Sequence, residues 1–242
     1  KDRTALTWMN AYIDGCPVTE RSGYQVETNA FWYDMLCFAI EMESKYGRKT
    51  SGFVEKWSPV RDMVAENYQK MFWMPDKGYL ADYVDNYGQD ADVRPNQLFA
   101  LAVHHQPVDD TVLGSIMNVV DRELVTSRGI RTLSPRDLKY KGVYEGTQKE
   151  RDMAYHQGCA WPALLLPYAR IKFRMDGAAF CKRAEWLMEG FYDDLNKHGV
   201  GMFSELYDGD PPHEPHGAIS SAMSTAALLY VENLINKYKE ER

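Results

Sequence analysis

An all-α fold is what this sequence predicts, and three observations carry the prediction. Apolar residues recur at helical spacing in about seven segments, and alternation of period two is almost absent. Segments that are apolar nearly all round also alternate with amphipathic ones. Residues 26–46 carry Val26, Ala30, Phe31, Met35, Leu36, Phe38, Ala39 and Ile40, which predicts a helix buried on most faces. Residues 50–71 and 108–124 have mixed faces and more charge. Residues 94–105 open with Arg94-Pro95-Asn96-Gln97, where Pro95 suits a first helical turn. Residues 160–174 are again apolar, with Pro162 near the start and Pro167 as an expected kink. Residues 177–197 carry the stripe Phe180, Ala184, Leu187, Phe191 and Leu195 opposite Lys182, Arg183, Glu189 and Asp193. Residues 217–240 close the chain with Ile219, Met223, Ala227, Tyr230 and Leu234. The connections leaving the buried helices are short. Those entering them (1–25, 72–93, 125–157 and 198–216) are long and polar, so functional loops are expected to gather at one end of one all-α unit.

Composition narrows the function. The 242 residues hold 28 Lys and Arg against 35 Asp and Glu, a formal net charge of −7. Neither nucleic acid nor an anionic membrane surface is an expected partner. Hydrophobic residues make up 45% of the chain, yet no apolar run reaches the roughly 20 residues of a membrane helix. Cys16, Cys37, Cys159 and Cys181 are widely spaced and are read as reduced thiols, in keeping with a cytoplasmic location. His104-His105, the His213–His216 stretch and the acidic loop Asp82, Asp85, Asp90 and Asp92 lack zinc or calcium spacing. No metal or cofactor is expected. Aromatic residues reach 13%, enough for flat platforms under sugar rings as well as for a large core.

The loops hold the motifs Leu6-Thr7-Trp8-Met9-Asn10, Val26-Glu27-Thr28-Asn29 and Arg94-Pro95-Asn96-Gln97. Gly129-Ile130-Arg131-Thr132-Leu133-Ser134-Pro135, Arg151–Gly158 and Ser204-Glu205-Leu206-Tyr207-Asp208-Gly209-Asp210-Pro211-Pro212 follow. In this order, from Leu6 to about Ala227, they resemble the C-terminal amylo-α-1,6-glucosidase domain of glycogen debranching enzymes. The resemblance implies an (α/α)6 toroid that hydrolyses α-1,6-linked glucose at glycogen branch points with inversion. Since that toroid has twelve helices, residues 1–242 are expected to form its C-terminal part, with the N-terminal hairpins upstream. The expected partners are a branched α-glucan, the missing half of the ring, or a second copy by self-association.

Inverting hydrolysis needs two carboxyl groups, one protonating the leaving oxygen and one deprotonating a water. In the family, the glutamate matching Glu205 is the base. The acid is the aspartate of a Thr-Trp-Met-Asp motif, and here Asn10 occupies that place. An amide has no titratable proton to give, and Asp14 is the nearest alternative carboxyl. Trp8, Glu27, Arg94, Asn96, Gln97, Tyr155, His156, Gln157 and Trp161 are expected to contact sugar. Glu27 and Arg94 could instead form a buried salt bridge, and Trp161 could instead be core. Alternative functions are a non-catalytic glucan-binding relative and a toroid hydrolase of other specificity.

Overall fold

The computed structural model describes residues 4–48 and 50–240, and it divides into two compact units. One comprises residues 21–91 and 96–119. The other comprises residues up to 20, 92–95 and from 120 onward.

In the unit of residues 21–91 and 96–119, helix α1 (Val26–Tyr46) begins directly after the extended residue Gln25. No side chain caps it. Val26 N–H instead donates to Asp82 O at 3.1 Å, and Glu27 puts a carboxylate in the first turn, at the positive end of the helix dipole. Helix α2 (Phe53–Phe72) follows Gly52, whose φ of 65° suits glycine, and it contains Pro59. Short antiparallel strands pair 73–74 with 79–80, and 83–85 with both 24–25 and 88–89. Helix α3 (Gln97–Ala102) and the part of α4 (Asp110–Glu123) up to Val119 complete the unit. Helix α1 packs on α2 and α3, burying Ala30, Leu36, Ile40, Tyr68, Phe72, Leu98 and Leu101.

Two neighbours cover only one side of a helix. Phe31, Trp32, Met35 and Phe38 of α1 are exposed, Phe38 to 56%, so the expectation of burial on most faces is corrected. Pro95 is corrected as well. It forms a turn with Asn96 ahead of α3 instead of occupying its first turn.

In the other unit, strands 12–13 and 16–17 form a hairpin whose turn residues Asp14 and Gly15 both have positive φ (50° and 77°). This is the left-handed geometry that an Asp-Gly pair favours. Five short strands lie antiparallel in the order 215–216, 206–207, 160–161, 129–131, 125–126. Helix α5 (Gln148–Tyr155) opens on a capping box, in which Thr147 Oγ1 accepts from Glu150 N–H and the Glu150 carboxylate accepts from Thr147 N–H. A 3₁₀ turn at 162–164 leads into α6 (Leu165–Asp176), and α7 (Cys181–Tyr192) and α8 (Ala222–Glu240) follow. Helix α8 packs on both α6 and α7 around Leu165, Tyr168, Ile171, Phe191, Leu228, Val231 and Ile235.

Three expectations are revised here. Helix α5 stands inside a segment read as loop, because about two polar turns give a weak periodic signal. The short strands were missed because each spans only two or three residues, too few for a period-two pattern. Pro167 is the third residue of α6, where the absent N–H has no intrahelical partner to lose, so it causes no interior kink. All four cysteines are free. Among the described residues no helix is long and apolar enough to cross a membrane.

Candidate active site

Strand pairing brings the most informative residues of the second unit together. Ala160 pairs with Tyr207 on one side and with Arg131 on the other, and Leu206 pairs with His216. Trp161 and Glu205 are thereby carried on paired segments, and α5 ends beside them at Tyr155. The Tyr155 hydroxyl donates to Glu205 Oε1 at 2.6 Å, and Ala218 N–H donates to Oε2 at 2.9 Å. Glu205 N–H in turn donates to Ala218 O at 2.9 Å, so the residue is tied at its backbone and at its carboxylate. Gly217, with φ 72°, lies so close that a Cβ there would sit 2.5 Å from Oε2.

An aromatic cluster adjoins this carboxylate. The Tyr155 ring lies 5.0 Å from Trp161 and 4.6 Å from His156, and His156 stacks on Trp161 at 5.6 Å. Trp8 meets both His156 (5.3 Å) and Trp161 (5.7 Å) edge-on. Trp161 is buried, and its Nε1–H donates to Tyr155 O at 3.1 Å. The loop carrying Trp8 is tight, with Asn10 N–H donating to Trp8 O at 3.0 Å. Asn10 itself is exposed, whereas Met9 between them is fully buried. Asp14 sits in the hairpin turn, exposed and paired with Lys149 at 2.7 Å.

Arg94 and Gln157 form the cluster's support. Arg94 Nη1 donates to His156 O (2.9 Å) and Thr132 O (3.3 Å) and lies 3.9 Å from Met9 Sδ. Its Nη2 donates to Gln157 Oε1 (2.7 Å) and Asp92 Oδ2 (3.2 Å). Gln157 Nε2 donates to Val18 O at 3.2 Å. One buried guanidinium thus fixes the segments bearing Met9, Asp92, Thr132 and His156–Gln157. Burial and the Arg94 charge push the His156 pKa down to about 3, so the ring is neutral near pH 7. Burial and the Glu205 carboxylate push the Tyr155 phenol up, keeping it protonated as a donor.

Glu27, Asn96 and Gln97 belong to the other unit, where they line a buried polar network. Arg21 Nη1 and Nη2 donate to Glu27 Oε1 (2.5 Å) and Oε2 (2.7 Å), and Arg21 Nε donates to Asp82 Oδ2 (2.6 Å). Asn96 Nδ2 donates to Asp82 Oδ1 (2.7 Å), and Gln97 Oε1 accepts from Leu80 N–H (3.3 Å). Arg21 grips both oxygens of Glu27, and Arg94 pairs with Asp92. Sequence reasoning missed Arg21, because a lone arginine in a loop carries no pattern. It also missed Gly217 and Ala218, whose part depends on strand pairing to Glu205.

Among solved structures, the chain is similar to neutral trehalase Nth1 from Saccharomyces cerevisiae, with TM-score 0.67 and 11% identity over 90% of this chain and 39% of that one. It is similar to the GH63 mannosylglycerate hydrolase from Thermus thermophilus, with TM-score 0.58 and 15% identity over 86% of this chain and 45% of that one. The fold is thus of the helical (α/α)6 toroid class. The amylo-alpha-1,6-glucosidase family model matches residues 1–230, and the chain belongs to that family. It is also 26% identical to the glycogen debranching enzyme of Saccharomyces cerevisiae over 84% of this chain and 16% of that protein. The chain therefore spans about a sixth of the length of that curated relative.

Proposed function

We propose that this chain supplies the base-bearing part of a glycosidase that removes α-1,6-linked glucose from branch points of an α-glucan with inversion, in the cytoplasm. The remaining hairpins of the ring are supplied by residues upstream. The observation that carries the reading is the Glu205 carboxylate, held by one donor on each oxygen at the edge of the Trp8–Tyr155–His156–Trp161 cluster. In this mechanism Glu205 takes a proton from the attacking water as that water bonds to the anomeric carbon. Trp8 and the exposed edge of the cluster receive the sugar. Arg94 and Gln157 hold the loops that carry these groups.

Position 10 limits the chemistry, because the leaving oxygen needs a proton that an asparagine amide cannot deliver. The test measures glucose release from branched limit dextrin and from α-glucosyl fluoride by the full-length protein. Asn10→Asp raises dextrin hydrolysis by about 10²–10⁴-fold, while fluoride, a leaving group that needs little protonation, gains much less. Glu205→Gln abolishes release from both. The exposed amide at position 10 also favours a second reading, a glucan-binding relative without hydrolysis. Dextrin binding without glucose release, unchanged by Asn10→Asp, selects that reading, whereas release from mannosides points to a hydrolase of other specificity.

A further inference from the structure

We propose that Tyr155 is a positioning residue for Glu205, holding the carboxylate through its hydroxyl, and is not a sugar contact. This rests on Glu205 being the base. The phenol is committed as a donor to Glu205 Oε1 at 2.6 Å, while Ala218 N–H occupies Oε2 at 2.9 Å. Each carboxylate oxygen keeps lone-pair capacity for a water, but rotation of the group would break both bonds at once. The ring that carries the hydroxyl is itself fixed. Tyr155 is the last residue of α5, its carbonyl accepts from Trp161 Nε1–H, and its faces and edges meet Tyr144, His156 and Trp161. Tyr144 is held in its turn by its N–H on Asp208 Oδ1 at 2.7 Å. On the other side, Gly217 has no Cβ, which leaves the carboxylate the space that a side chain there would take.

Tyr155→Phe removes only the hydroxyl and its bond to Glu205, and keeps the ring in the cluster.

The experiment is steady-state kinetics of the full-length protein carrying Asn10→Asp, with and without Tyr155→Phe, on limit dextrin and α-glucosyl fluoride. Tyr155→Phe is expected to lower kcat about tenfold or more on both substrates, as loss of a hydrogen bond to a charged group does. KM stays within about twofold, so the loss falls on kcat. A raised KM with unchanged kcat would mean sugar contact and overturns the proposal, as does an unchanged kcat. Turnover retained by Glu205→Gln instead sinks the assignment of the base, whatever Tyr155→Phe does. Carbon-13 NMR of the glutamate carboxyls, with the Glu205 signal identified by its loss in Glu205→Gln, gives a readout free of turnover. That signal moves in Tyr155→Phe as its hydrogen-bond donor is lost, and an unmoved signal overturns the proposal.

Discussion

Arg21 and Glu27 form a two-pronged buried pair, guanidinium Nη1 to Oε1 at 2.5 Å and Nη2 to Oε2 at 2.7 Å, with side chains 2% and 3% exposed. Asp82 lies on the same guanidinium, so two carboxylates share one cation out of water. Burial pushes the Glu27 pKa up against the opposing pull of Arg21. Arg21→Met takes the cation away from both buried carboxylates and is expected to cost about 3–5 kcal/mol of stability. Urea unfolding of Arg21→Met beside the triple variant Arg21→Met, Glu27→Gln, Asp82→Asn checks it. The triple variant should recover part of the loss.

His156 makes stability depend on pH. Its imidazole is neutral in the fold, with a pKa of about 3 against 6.5 for the unconstrained side chain. Between those values the unfolded chain binds more protons, so stability rises with pH across this window. The contribution is complete above pH 6.5 and is lost as pH falls toward 3, at about 1.4 kcal/mol per pH unit. Chemical unfolding between pH 7 and about pH 5, compared with His156→Phe, measures it. The variant should show a shallower slope, and equal slopes would contradict the assignment.

Gly217 is required both by its backbone and by its neighbour. With φ at 72° and Glu205 Oε2 where a Cβ would go, Gly217→Ala combines left-handed strain with a displaced carboxylate. The expected stability loss is about 1–2 kcal/mol. Turnover should fall more than that loss accounts for, measured where the variant is fully folded. Gly201, also at positive φ but with open space around it, is the control, since its alanine variant should carry only the backbone cost.

The exposed apolar residues of α1 predict association. Phe31, Trp32, Met35 and Phe38 recur at helical spacing on one exposed face, and monomers rarely leave such patches in water. The isolated chain should gain mass with concentration in light scattering, and Met35→Ser with Phe38→Ser should suppress the gain. A compact monomer at all concentrations would falsify this.

Helix periodicity was legible because it repeats over many residues. The segments read at 26–46, 50–71, 108–124 and 217–240 correspond to α1, α2, α4 and α8 within a few residues. Two-residue strands, the roughly two turns of α5 and the start of α3 were not legible, since their signals are shorter than the window that detects them. Of the candidate site, the motif residues Trp8, Tyr155, His156, Trp161 and Glu205 were named from the sequence, and the structure gathers them into one cluster.

The sequence by itself determined the helical class, the family and the amide at position 10, because each is written in residue identity and spacing along the chain. Only the tertiary structure decided which partners those residues take. Glu27 goes to Arg21, Arg94 to Gln157 and to the carbonyls of Thr132 and His156, and Tyr155 to Glu205. The physical reason is that a buried polar group must find a partner wherever folding puts one within about 3 Å. Tyr155 and Glu205 lie fifty positions apart in sequence, and a separation of that length carries no periodic signal that composition or spacing can reveal.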